Sequence, residues 1–70
     1  MTEKQLNEYS KNIAYNIKNS GVSPYNEIMS FCLHEKIDKK HGEEGLEVYK
    51  YDDFTNKTTV KLALLFILTM

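Results

Sequence analysis

The chain closes on KLALLFILTM, in which seven consecutive apolar residues, Leu62–Leu68, follow the last charge, Lys61. In a chain of 70 residues this run constrains the fold more than any other stretch, because something must cover it. A membrane-spanning helix needs about 20 apolar residues, so the run is too short to cross a bilayer. It must instead pack inside the protein or against a partner.

Cover is scarce at this size. A chain this short buries only about 60% of the surface that its unfolded form exposes, and its core rarely supplies more than ~3–5 kcal/mol. Cys32 is the only cysteine, so no internal disulfide can form, and a reducing, cytoplasmic setting is expected. The opening MTEKQLNEYSKN lacks the apolar segment of a secretory signal, and none is expected. One domain, 1–70, is predicted, with self-association or a protein partner supplementing its stability.

The first helix is read over 2–20. Leu6, Tyr9, Ile13 and Ile17 recur at helical spacing on one stripe, and Tyr15 falls on the opposite face. Thr2 with Gln5 forms a capping-box pattern, and Asn19-Ser20-Gly21 is a stop. A second helix starts at Ser23-Pro24, where the serine caps and the proline fills the first helical position. Its apolar face is Tyr25, Ile28, Met29, Cys32 and Leu33, flanked by Phe31. Lys36, Lys39, Lys40 and His41 complement the dipole at its far end, and Gly42 suits its exit.

After Gly45 the period changes to two. LEVYKY alternates Leu46 and Val48 against Glu47, Tyr49 and Tyr51, which predicts a strand. YDDFTNKT then reads as a hairpin loop, with Asn56 in the left-handed conformation that closes such loops. Thr58, Thr59 and Val60 open a second strand over 59–68. Val60, Leu62, Leu64 and Phe66 face the helices, and Ala63, Leu65 and Ile67 face away. Short apolar runs are equally compatible with a buried helix, but the turn and the β-branched opening favour the strand. The expected fold is therefore α+β, in the order α-α-β-β: two N-terminal helices followed by a β-hairpin.

No catalytic motif stands out, and an enzyme is not expected. His34, Asp38 and His41 share one face of a long second helix at spacings that suit a divalent metal. A solvated polar face accounts for them better, and neither a metal nor a cofactor is expected. Cys32 sits among Ile28, Met29 and Leu33, which predicts a buried, inert thiol. Glu43-Glu44 and Asp52-Asp53 are better explained by loop solubility than by paired-carboxylate chemistry, which needs a cleft.

Two function classes remain. All nine cations are lysine and the net charge is −1. Bidentate reading of guanine or phosphate is arginine work, so the balance favours a protein-binding module over a nucleic-acid binder. Such a module is an inhibitor, adaptor or regulatory accessory protein. The bias to Lys, Asn, Ile and Tyr fits an AT-rich coding genome, as in phages, mobile elements and low-GC bacteria. The expected interface is the strand face and edge made by Tyr49, Tyr51, Ala63, Leu65 and Ile67, pairing with a partner or with a second copy as a homodimer. The alternative is a helix-turn-helix whose β-wing is the loop at 52–57. Against it, the outward face of its recognition helix carries Asn26, Glu27, Ser30, His34 and Asp38 rather than cations.

Overall fold

A computed structural model describes all residues, Met1–Met70, as four helices joined by short turns: α1 (Glu3–Ser20), α2 (Pro24–His34), α3 (Lys39–Val48) and α4 (Lys57–Thr69). The capping box that opens α1 is formed in both directions. Gln5 N donates to Thr2 Oγ1 at 3.1 Å, and Thr2 N donates to Gln5 Oε1 at 2.8 Å. Gly21 ends the helix in the left-handed conformation, φ 68°. Ser23 caps α2 by accepting from Asn26 N at 3.1 Å. The main packing contacts run from α1 to α2, α2 to α3, α3 to α4, and from α4 back to α1.

The molecule has no strand, and the expected β-hairpin is replaced by α3, a turn and α4. Asn56 has φ −98°, not a positive value, and its side chain caps α4 by accepting from Thr58 N at 2.8 Å. The residues buried beyond it are Val60, Ala63, Leu64 and Ile67, spaced as one helical face rather than alternately. Magnitudes explain the outcome. Thr58, Thr59 and Val60 each cost a helix only about 0.5 kcal/mol relative to alanine. Burying Val60, Leu64 and Ile67 contributes about 1.5–3 kcal/mol apiece. A two-stranded hairpin over two helices leaves one of its faces bare, whereas a helix encloses these side chains on a single face.

The second helix is also shorter than expected, because α2 and α3 are separate elements. Lys36 has φ 58°, and around it Ile37 N donates to Cys32 O at 2.8 Å and Lys36 N to Leu33 O at 3.2 Å. This pair of bonds is a Schellman motif, built here on lysine in the position that glycine favours. Asp38 then caps α3, accepting from Lys40 N at 3.1 Å and His41 N at 3.4 Å. LEVYKY is the end of α3 and the turn after it.

Gly42 and Gly45 lie inside α3, where they serve close packing rather than helix exit. A Cβ on Gly42 would meet Cys32 Sγ at 2.5 Å, and one on Gly45 would collide with Ile67 Cγ1. The core centres on Ile28, Phe31 and Cys32 of α2 and on the buried face of α4. Leu6, Ile13 and Ala14 of α1 join it, as does Phe54 from the turn before α4. Ser10 is buried beside them, its hydroxyl donating to Leu6 O at 2.8 Å. Leu33, read as part of the α2 core face, is instead 81% exposed.

Candidate protein-docking face

Helical period fixes what α4 presents outward. With Val60, Ala63, Leu64 and Ile67 turned inward, Thr58, Leu62, Leu65 and Thr69 fall on the opposite side, and all four are exposed. Leu62 is 50% exposed, which places half of a large apolar side chain in water. Beside this stripe, Leu65 and Leu68 border a shallow groove of about 440 Å³ with Met1 and Leu6 from the N-terminal end. Glu3 and Lys61 stand on its rim, where Lys61 Nζ lies 3.3 Å from Glu3 Oε1. The face thus combines an uncharged apolar centre with a charge-balanced edge.

The expected interface residues are dispersed. Ala63 and Ile67 are enclosed by the monomer's own helices, at 0% and 1% exposure. Leu65 lies on the outward face. Tyr49 is half-buried, its ring edge-on to Phe66 with centroids 5.9 Å apart. Tyr51 is 90% exposed on the turn after α3, where Lys50 Nζ sits 5.0 Å from its ring centroid. Pairing through a C-terminal strand edge is ruled out, because residues 59–68 lie within α4 and form no edge. The β-wing goes with the hairpin, since residues 52–57 lead into the α4 cap. Leu62 and Leu68 were missed as surface residues. The 58, 62, 65, 69 spacing reveals Leu62 once the segment is read as a helix, and Leu68 lies at the edge of that face, one turn after Leu65.

The polar clusters serve structure. His34, Asp38 and His41 do not converge, and no three His, Cys, Asp or Glu side chains gather in metal-binding proximity. His34 Nδ1 is 2.8 Å from Glu35 Oε2, and since a carboxylate only accepts, that nitrogen carries the hydrogen. The Tyr9 hydroxyl touches the same His34 nitrogen and donates to Glu35 Oε2 at 3.2 Å, clasping α1 to the end of α2. The hydrogen bond from His34 is the main cause that holds the Glu35 carboxyl below its ordinary range. Asp38 is occupied as a cap, and His41 Nε2 is bonded to Ile67 O at 2.7 Å.

Tyr25, placed in the core by its helical spacing, is 40% exposed and donates to Glu43 Oε2 at 2.5 Å, tying α2 to α3. Asp53 accepts from Thr55 N at 2.9 Å and Thr55 Oγ1 at 2.6 Å, bonds that lower its carboxyl pKa. The Cys32 thiol is buried, and burial pushes its pKa up.

Comparison with protein families, curated proteins and solved structures finds no match to this chain. No helix is long and apolar enough to cross a membrane.

Proposed function

We propose that the protein is a small non-enzymatic binding module that acts by docking onto protein through the outward face of α4. The supporting observation is the exposed Leu62-Leu65-Leu68 surface beside an apolar groove. Single exposed leucines are ordinary on monomers, but a contiguous apolar patch with a polar rim marks an interaction surface. An inhibitor, adaptor or regulatory accessory role in a reducing, cytoplasmic compartment fits a chain of this size with one buried thiol.

The test is a comparison of baits in one cell extract: wild type, Leu65→Glu on the face, and Leu33→Glu on the exposed side of α2. Both leucines are at the surface, so all three baits should show the same helical circular dichroism. A protein held by wild type and Leu33→Glu but lost with Leu65→Glu supports the reading, whether it is another protein or the chain itself. A set of captured proteins that Leu65→Glu leaves unchanged overturns it.

A further inference from the structure

We infer that the docking face takes an acidic, amphipathic segment of a partner protein, seated along the seam between α1 and α4. This rests on the docking reading above and names the chemistry of the partner. The observation is that two cavities adjoin on that seam and share Lys61. One is the apolar groove bordered by Met1, Leu6, Leu65 and Leu68. The other, of about 260 Å³, is lined by Asn7, Ser10, Lys57, Thr58 and Lys61, with no apolar residue among them. A segment lying along the seam therefore meets leucines at one end and lysine ammoniums at the other.

Charge around the seam is of one sign. α1 and α4 together carry five lysines, Lys4, Lys11, Lys18, Lys57 and Lys61, against two carboxylates, Glu3 and Glu8. Residues 21–56 carry four lysines against eight carboxylates. The net charge of −1 thus conceals two oppositely charged parts, and the apolar groove lies in the positive one. Lys4, Lys11 and Lys18 recur every seven residues, on the side of α1 that bears Asn7. Among these five lysines only Lys61 forms a salt bridge, to a Glu3 side chain that is 79% exposed. Such exposed pairs are weak, and a partner's carboxylate can replace Glu3. Lys57 opens α4, where the helix dipole disfavours a cation, so helix stability does not account for its charge.

Both ends of the seam constrain the occupant. Lysine without arginine offers point charges rather than the bidentate fork that suits phosphate, which favours carboxylates over a nucleic-acid backbone. The leucines require aliphatic or aromatic side chains beside those carboxylates. At 1.5 Å per residue α4 spans about 20 Å, the length of roughly six extended residues. A contact of that length is smaller than a standard stable interface, so binding should be reversible and weakened by salt.

Selection from a random peptide library displayed on phage, with the wild-type chain as target, tests this. Expected are sequences rich in Asp and Glu beside Leu, Ile, Met or Phe, and poor in Lys and Arg. The best of them, synthesised with a fluorescent label, should bind wild type and show no binding to Leu65→Glu. Lys57→Glu should weaken it about tenfold, because an exposed attraction becomes a repulsion. That substitution places an acid where the helix dipole favours one, so the fold should hold, and circular dichroism of both variants verifies it.

Failure to enrich any sequence overturns the inference. So does enrichment without acidic residues, or binding that Lys57→Glu leaves unchanged. Two further measurements address other occupants. A wild-type dimer in sedimentation that Leu65→Glu disperses puts a second copy on the face and overturns the acidic partner. Binding to phosphatidylserine vesicles that both variants lose puts a membrane there and overturns it too. Acid-free peptides that bind wild type but not Leu65→Glu overturn only the charge assignment and leave the docking reading standing. That reading fails when Leu65→Glu leaves the proteins captured from extract unchanged.

Discussion

His41 Nε2 lies 2.7 Å from the main-chain oxygen of Ile67, joining the first turn of α3 to the last turn of α4. A carbonyl can only accept, so Nε2 carries the hydrogen. Ile67 belongs to the final four residues of α4, whose carbonyls have no donor within the helix. The imidazole is therefore a cap supplied from another helix. His41→Ala should lower stability by about 1–2 kcal/mol, from the lost bond and a carbonyl left without its partner. Urea unfolding checks this, and a midpoint equal to wild type refutes it.

Acid should loosen the clasp between α1 and α2. Glu35 in the folded protein ionises below its ordinary value of 4.5, chiefly because His34 donates to it. Between that value and the lower folded one, the unfolded chain binds more protons than the folded chain. The contribution is present above about pH 4.5 and is lost as pH falls through the folded value. Glu35→Gln should therefore flatten the loss of stability below that pH, with Asp53 retaining its own share through its bonds from Thr55. Melting temperatures of wild type and variant from neutral to acid pH provide the measurement. Parallel curves would exclude this role for Glu35.

How far the fold was legible follows from where local signals were unambiguous. Thr2 with Gln5, Ser23 with Pro24, and Gly21 each match one capping pattern, and the structure uses all of them as such. From residue 35 onward the local cues pointed the wrong way. The left-handed end of α2 falls on Lys36, a residue without glycine's freedom, so nothing in the sequence marked the stop. Gly42 and Gly45 resemble breakers, but their role is set by Cys32 and Ile67, which are distant in sequence. Phe54, amid Asp, Thr and Asn, looked like a loop residue, yet it is 4% exposed. Over 59–68 the run is apolar in every register, so strand and helix periods fit equally well, and packing decided between them. Of the docking face, only Leu65 was placed at the surface from sequence. Its neighbours Leu62 and Leu68 depend on the helical register.

Lys36 holds φ 58° at the end of α2, a conformation that costs a side-chain-bearing residue about 1 kcal/mol and glycine almost nothing. Lys36→Gly should raise stability by up to about 1 kcal/mol. Asn56→Ala should have the opposite effect. It removes the α4 cap at an expected cost of about 1 kcal/mol, since Asn56 stands at negative φ and acts through its side chain. Chemical denaturation of both variants tests the pair. Destabilisation by Lys36→Gly would contradict the left-handed assignment.

The packing of α3 on α2 makes the sharpest test of the core. A methyl group on Gly42 would come within 2.5 Å of Cys32 Sγ and 3.2 Å of Met29 Cε. Cys32 is buried at 1% exposure and cannot swing away into solvent, whereas Met29 is flexible and can yield. In the wild-type background Gly42→Ala should therefore cost about 1–3 kcal/mol, the usual result of overpacking. Replacing Cys32 by alanine removes the sulfur that the new methyl would strike, at the cost of a small void of its own. In that background Gly42→Ala should be much less harmful, because alanine is also favoured over glycine inside a helix by about 0.5–1 kcal/mol. A double-mutant cycle should show a coupling of at least ~1 kcal/mol between the two sites. If Gly42→Ala costs the same with and without the thiol, Gly42 is not the close-approach point between α2 and α3.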